Sequence, residues 1–244
     1  GIVIGSIIGY LIMDVGGLSW QVMVASLFIP LVGYGCLIIG QTFPLTERVE
    51  MGISTKAALQ SLFTPLYLFI AVCMLLSATT ELGTTQRIES LLRETGVNAL
   101  LVLAFINGLM VIGRYFAGPI SKKISTTGML WFSALFSFIG LQLLANASGM
   151  FVFIAAGVFA IGITFFWPTT IAFISENIPE SGAFGLSIMG GLGNLSVSIV
   201  LPVMGRFLDN SNGMQVIQTM SALPAILFVF YGALYFYRKK YNQT

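Results

Sequence analysis

Apolar runs of roughly bilayer length alternate with short polar connectors along the whole chain. The runs are Gly1–Met13, Trp20–Gly40, Ala57–Thr80, Asn98–Ala117, Thr126–Asn146, Met150–Ser175, Ala183–Met204 and Met214–Tyr237. A hydrocarbon core of about 30 Å takes roughly 20 apolar residues as helix. Seven runs meet that length, and the first is too short to cross unaided. The connectors DVGGLS, FPLTERVEMGIST, ELGTTQRIESLLRETG, SKKISTTG, ENIPESG and RFLDNSNG hold the turn-forming and charged residues. None is long enough for a soluble domain. The pattern predicts an all-α, polytopic membrane helix bundle.

Composition agrees with the pattern. Of the 244 residues, 57% are hydrophobic and only 8% charged, and mean hydropathy is +0.94. A soluble domain carries roughly 25% charged residues, so this surface is suited to lipid. Net charge is +2 and histidine is absent. That balance gives no expectation of nucleic acid, and the missing histidine removes His-metal sites, Ser-His-Asp triads and histidine relays. Cys36 and Cys73 lie inside apolar runs without metal-ligand spacing and read as small buried hydrophobes. No metal, no cofactor and no enzymatic cluster is expected.

Basic residues set the orientation. If the spans alternate sides, Arg48, Lys56, Arg114, Lys122, Lys123, Arg238, Lys239 and Lys240 share one side, while Arg87, Arg93 and Arg206 share the other. The positive-inside rule puts the first set, and the C-terminus, in the cytoplasm. Small residues recur four apart at Gly1, Gly5 and Gly9, and at Ala183, Ser187 and Gly191 with Gly190 and Asn194 alongside. Such spacing lets helices approach closely in lipid. GGLGNLS at Gly190–Ser196 lacks the third glycine and the preceding strand of a nucleotide-binding loop. Asn146 and Asn194 fit a glycosylation triplet, but one stands in a very short loop and the other within a run.

Within this oily background the polar residues of the runs are candidates for function. Glu81 adjoins the interior of Ala57–Thr80, near the expected outer end of that helix, and Gly83 behind it would allow a break. Ionisable groups at membrane depth are costly and mostly functional, so Glu81 is the candidate proton-coupling residue; the plain alternative is that it begins the outer loop. Solute recognition needs aromatic faces with amides and hydroxyls in a concave pocket. Asn107, Trp167, Asn194, Phe166 and Thr170 are the candidates, with Gln142 assigned to helix–helix contact. Pro168 is expected to kink its helix and free a carbonyl near Trp167. The stretch GRYFAGPISKKIS places Arg114 among Gly113, Gly118 and Pro119 at an expected cytoplasmic helix end, with Lys122 and Lys123 toward the headgroups.

These motifs carry a resemblance. G-R-x-x-A-G-x-x-x-K-K at Gly113–Lys123 resembles the cytoplasmic loop motif of the major facilitator superfamily, without its aspartate. FFWPTTIAFISENIPESGAFGLSIMGG followed by PVMGRFLD resembles the tenth and eleventh helices of the fucose/glucose/galactose permease-like branch. FPLTERVEMGIS resembles the central linker of related sugar transporters. The resemblance implies that residues 1–40 are the fifth and sixth helices, 41–56 the central cytoplasmic linker, and 57–244 the complete C-terminal six-helix half with its tail. The first four helices would then precede this chain and pack against it. It also makes the ends bearing Arg114 and Glu176 neighbours, so that an Arg114–Glu176 pair, flanked by Lys122 and Lys123, would close the cytoplasmic side. The expected activity is secondary transport of a small polar solute, a sugar carried with protons by alternating access. A bacterial-type inner (plasma) membrane is the expected location. The alternatives are a nucleoside or other solute transporter or exporter of the same superfamily, and a non-transporting structural subunit.

Overall fold

The computed structural model describes residues 8–9, 11–43, 52, 54–93, 95–121 and 123–241. Contacts divide the chain into two compact units, Gly1–Leu45 and Thr46–Thr244. All regular structure in the described residues is helical. Six helical stretches are long and apolar enough to cross a membrane: Trp20–Ile38, Pro65–Gln86, Thr126–Leu144, Phe151–Asn177, Pro179–Asn210 and Gly213–Lys240. Ala99–Tyr115 is a shorter apolar helix. By length and composition, therefore, this is a multi-pass integral membrane helix bundle.

The first unit contains a π-helical turn at Leu11–Val15 and two consecutive helices, α1 (Trp20–Ser26) and α2 (Phe28–Ile38). Neither helix buries a residue within the unit. Gly9 stands where an added Cβ would come 3.4 Å from the Met23 sulfur. Gly1 and Gly5, the rest of that small-residue series, lie outside the described residues, as does Arg48.

The second unit holds the core. It begins with α3 (Thr55–Ser61) and α4 (Pro65–Ala78), which runs on through a π-helical turn, Thr79–Gly83, to Gln86. After α5 (Ile88–Leu91) come α6 (Ala99–Tyr115), α7 (Ala117–Ser121), α8 (Thr126–Leu144), α9 (Phe151–Ile163) and α10 (Phe166–Asn177). A 3₁₀ turn, Pro179–Ser181, leads to the long α11 (Gly182–Asn210), followed by α12 (Gly213–Met220) and α13 (Ala222–Tyr241).

Polar connector residues start these helices by capping their free N–H groups. Thr64 Oγ1 accepts from the Tyr67 N–H, with Pro65 at the first helical position, where a missing N–H costs nothing. Asn98 accepts from Leu100 and Leu101, Ser125 from Gly128, and Asn212 from Gln215. In ENIPESG the chain turns at Gly182, whose φ of 52° favours glycine.

Packing relies on close approach, since lipid supplies no hydrophobic drive between helices. The hairpin α8–α9 is closely packed. A Cβ on Gly140 would lie 2.4 Å from the Phe159 backbone, and one on Gly162 2.3 Å from the Ser137 amide. Around this contact a core forms from Phe159, Ile163, Phe166, Leu130, Leu141, Ile106 and Tyr231, all nearly inaccessible. A second cluster gathers Tyr67, Ile70, Met74, Phe173 and Met189. There the Tyr67 hydroxyl donates to the Gly185 carbonyl at 2.7 Å, tying α4 to α11. Gln142 donates to the Ser221 hydroxyl at 2.9 Å, the helix-to-helix contact expected of it.

Candidate functional site

The site forms where three helices lose regularity or bring small residues together. On α4 the ladder widens into the π-helical turn Thr79–Gly83, which carries Glu81; such turns in α-helices frequently mark functional positions. The helix changes type at Gly83 but does not break. On the Phe151–Asn177 span the helix is interrupted at Thr164–Phe165, between α9 and α10. The cause lies four residues on: Pro168 has no N–H, so the Thr164 carbonyl has no intrahelical partner. This is the freed carbonyl expected near Trp167. On α6, Gly113 allows the approach, because a Cβ there would stand 2.7 Å from Thr164 Cγ2. Gly118, grouped with it in the sequence, has open space around it.

Arg114 fills the gap so produced. Its Nη2 donates to Glu81 Oε1 at 2.9 Å, and its Nε donates to the Thr164 carbonyl at 3.1 Å. Glu81 is buried, with a side chain 7% exposed, whereas the Arg114 side chain is 41% exposed. The second carboxylate oxygen, Oε2, is buried and has no hydrogen-bond partner. Thr164 stands at the midpoint of its 27-residue span, whereas Glu81 lies five residues from the end of Pro65–Gln86 and Arg114 in the last turn of α6. A guanidinium is thus neutralised on one side by a carboxylate and fixed on another by an orphan carbonyl, while the rest of it faces outward. The arrangement can hold a charge at membrane depth and leaves one acceptor oxygen free to take a proton or a hydroxyl.

Arg114 stands in the last turn of α6, at the helix end expected of it, and after a turn at Phe116 the short α7 continues to Ser121. The geometry corrects two other expectations. The only ion pair among the described residues is Arg114–Glu81. The Arg114–Glu176 pair is not formed; Glu176 is exposed at the end of α10 and accepts from the Thr126 hydroxyl at 2.8 Å. Nor does Glu81 open the outer loop, since it is buried within the Pro65–Gln86 span. Lys123 is exposed in the turn before α8, and Lys122 lies outside the described residues.

The residues proposed for solute contact divide. Asn107 is half-buried on α6, seven residues and two turns from Arg114, and shares its face. Asn194 is exposed on α11 and donates to its own helix at Gly190. Trp167 is half-buried with its ring over Gly193, where a Cβ would come within 2.5 Å. Phe166 and Thr170 are turned into the bundle and are almost fully inaccessible, so they do not line an open surface. They follow Trp167 by one step back and three forward on α10, which rotates both toward α4, α8 and α13. The Thr170 hydroxyl lies beside that of the equally buried Tyr231, with Ser77 and Cys73 in the same group.

The small residues of α11 use a face other than the expected one. Gly185, Met189 and Gly193 pack inward, whereas Ala183, Ser187, Gly191 and Asn194 are exposed, and an added Cβ at Gly190 or Gly191 would meet nothing. The Arg114–Glu81 pair itself was not foreseen. Its signals were present: one charge inside an apolar run, an opposite charge adjoining another, and a proline four residues beyond Thr164. Comparison of the chain with protein-family models, curated proteins and solved structures found no match.

Proposed function

We propose that this chain is the C-terminal part of a secondary active transporter of the major facilitator superfamily, moving a small polar solute, a sugar with protons, by alternating access. The observation that carries the reading is the Arg114–Glu81 pair between the span ends, with Glu81 Oε2 unpartnered and the arginine still partly exposed. An arginine presented to acyl chains at that depth is strongly unfavourable, and intramembrane charges characteristically line aqueous pathways or proton relays. Asn107 supplies an amide on the same face, two turns, or about 10 Å, along α6. In this reading Glu81 takes and releases the coupling proton, and Arg114 stabilises the carboxylate when the proton has left. The uncovered stripe Ala183, Ser187, Gly191 and Asn194 then offers a smooth face for helix movement, the lipid bilayer surrounds the bundle, and Glu176 with Lys123 belongs to the basic end rather than to the central pair. No covalent chemistry is involved.

Proton-linked uptake by the full-length gene product in proteoliposomes, across a panel of sugars and nucleosides, tests the reading. An imposed proton gradient should drive accumulation of at least one solute, and Glu81→Gln should abolish that accumulation while leaving solute binding intact. Normal uptake by Glu81→Gln excludes the coupling role. A nucleoside in place of a sugar would keep the transporter and change its cargo. Absence of flux for every solute would favour a structural membrane subunit, for which the same small-residue stripe of α11 would serve as a permanent helix contact.

A further inference from the structure

At the end of the second unit that carries its basic turn and tail, a cleft of about 500 Å³ opens between α7, α8, α10 and α13. Its wall contains two cations, Arg238 and Lys239, four hydroxyls from Ser121, Ser125, Thr126 and Thr127, and the rings of Phe173 and Tyr235. We infer that this cleft binds the phosphate of an anionic membrane lipid. The inference rests on the membrane reading of the helices and is independent of transport.

Charge balance supplies the first argument. Neither Arg238 nor Lys239 has a carboxylate within ion-pair distance among the described residues. Arg238 is instead held over the Phe173 ring, 5.0 Å from its centroid, which fixes the guanidinium at the cleft. The bordering carboxylate is Glu176, which is exposed and occupied by the Thr126 hydroxyl. By contrast, the cleft at the other end sets Arg87 and Arg93 among Glu89 and Asp209, where the charges offset one another. Because the Ser121 hydroxyl donates to the Gly118 carbonyl and that of Thr126 to Glu176, the two cations are the cleft's principal free donors, and paired cations are the recognition chemistry of a phosphate.

The 19-residue α8 adds the positive end of its dipole, since it starts at Thr126 in the wall of the same cleft. Ser125 is partly committed, accepting from Gly128 and sharing a hydrogen bond with Thr127. Position identifies the source of the phosphate. The cleft sits where apolar spans end, and deeper along α8 and α13 an aromatic strip continues from it. Trp131 stacks between Tyr235 and Phe228, at 5.4 and 5.3 Å, with Phe236 edge-on. A charged mouth above an aromatic strip suits a headgroup with its chains, and basic pockets between spanning helices are known to hold such headgroups.

Native mass spectrometry of the full-length protein in neutral detergent, titrated with phosphatidylglycerol or phosphatidylcholine, tests this. Phosphatidylglycerol should be retained preferentially, and Arg238→Gln with Lys239→Gln should weaken its retention roughly thirtyfold, the loss of two basic residues at a membrane surface. Lys240→Gln, outside the cleft wall, should leave retention unchanged, and Arg238→Lys should preserve most of it if the double variant proves unstable. Equal retention of the two lipids overturns the inference, as does a Lys240→Gln effect equal to that of the cleft residues. Displacement of the lipid by millimolar orthophosphate would assign the site to free phosphate and overturn the lipid source.

Discussion

Removing the Glu81 carboxylate should cost stability in a way that depends on Arg114. Glu81→Gln keeps the shape but leaves the guanidinium with neutral acceptors alone, the new amide oxygen and the Thr164 carbonyl, and no compensating charge. Exposed ion pairs are worth about 0–1 kcal/mol, while breaking a fully buried pair costs about 3–5 kcal/mol. The carboxylate is 7% exposed and the guanidinium 41%, so the coupling falls between those limits, at about 2 kcal/mol. That is roughly a thirtyfold change in the unfolding equilibrium. The assay is a double-mutant cycle: Glu81→Gln, Arg114→Gln and both together, each unfolded reversibly in lipid bicelles with tryptophan emission as the signal. The double variant should be more stable than the sum of the single losses implies, because it leaves neither charge uncompensated. A coupling below about 0.5 kcal/mol, the range of additive sites, would refute the pair.

Other substitutions separate the parts of the site and the core. Glu176→Gln should leave the Arg114–Glu81 coupling unchanged, measured by the same cycle, because Glu176 bonds Thr126 instead. Pro168→Ala restores an N–H able to reach the Thr164 carbonyl, so Arg114 should react several times faster with phenylglyoxal, as read by peptide mass analysis. Gly140→Ala places a methyl 2.4 Å from the Phe159 backbone and should cost about 1–3 kcal/mol of unfolding free energy, the usual range for overpacking. Tyr67→Phe deletes the 2.7 Å bond to Gly185 and should lose about 1 kcal/mol, with a smaller effect on any transport assay than on thermal unfolding.

Much of the bundle is legible from the apolar runs because membrane helices satisfy their own backbone, leaving length and polarity as the dominant signal. Trp20–Gly40 and Thr126–Asn146 match observed spans almost residue for residue, and Asn98, Ser125 and Asn212 cap helices where the runs begin, whereas the cap at Thr64 divides the expected run Ala57–Thr80. Pro168 likewise announces an orphan carbonyl. The pairing of Arg114 was less accessible. Counted along the runs, Arg114 and Glu81 fall near the ends of two different helices, and the close approach of Gly113 to Thr164 that accompanies their pairing is not written in the runs. The π-helical turn at Thr79–Gly83 also inserts about one residue into the helical phase, roughly 100° of rotation, which turns Glu81 toward α6. Neither effect leaves a mark in hydropathy. The inward rotation of Phe166 and Thr170 reflects the same difficulty: in an apolar helix with little amphipathic contrast, composition does not say which face is covered.

The central claim is that the face of α6 bearing Asn107 and Arg114 borders water within the membrane. A nitroxide at Asn107→Cys, with Cys36 and Cys73 replaced, in the full-length protein in liposomes measures this directly through its relative accessibility to a nickel chelate and to oxygen. Preferential relaxation by the nickel chelate is the predicted result. Preferential relaxation by oxygen, as for a lipid-facing site, would contradict the account.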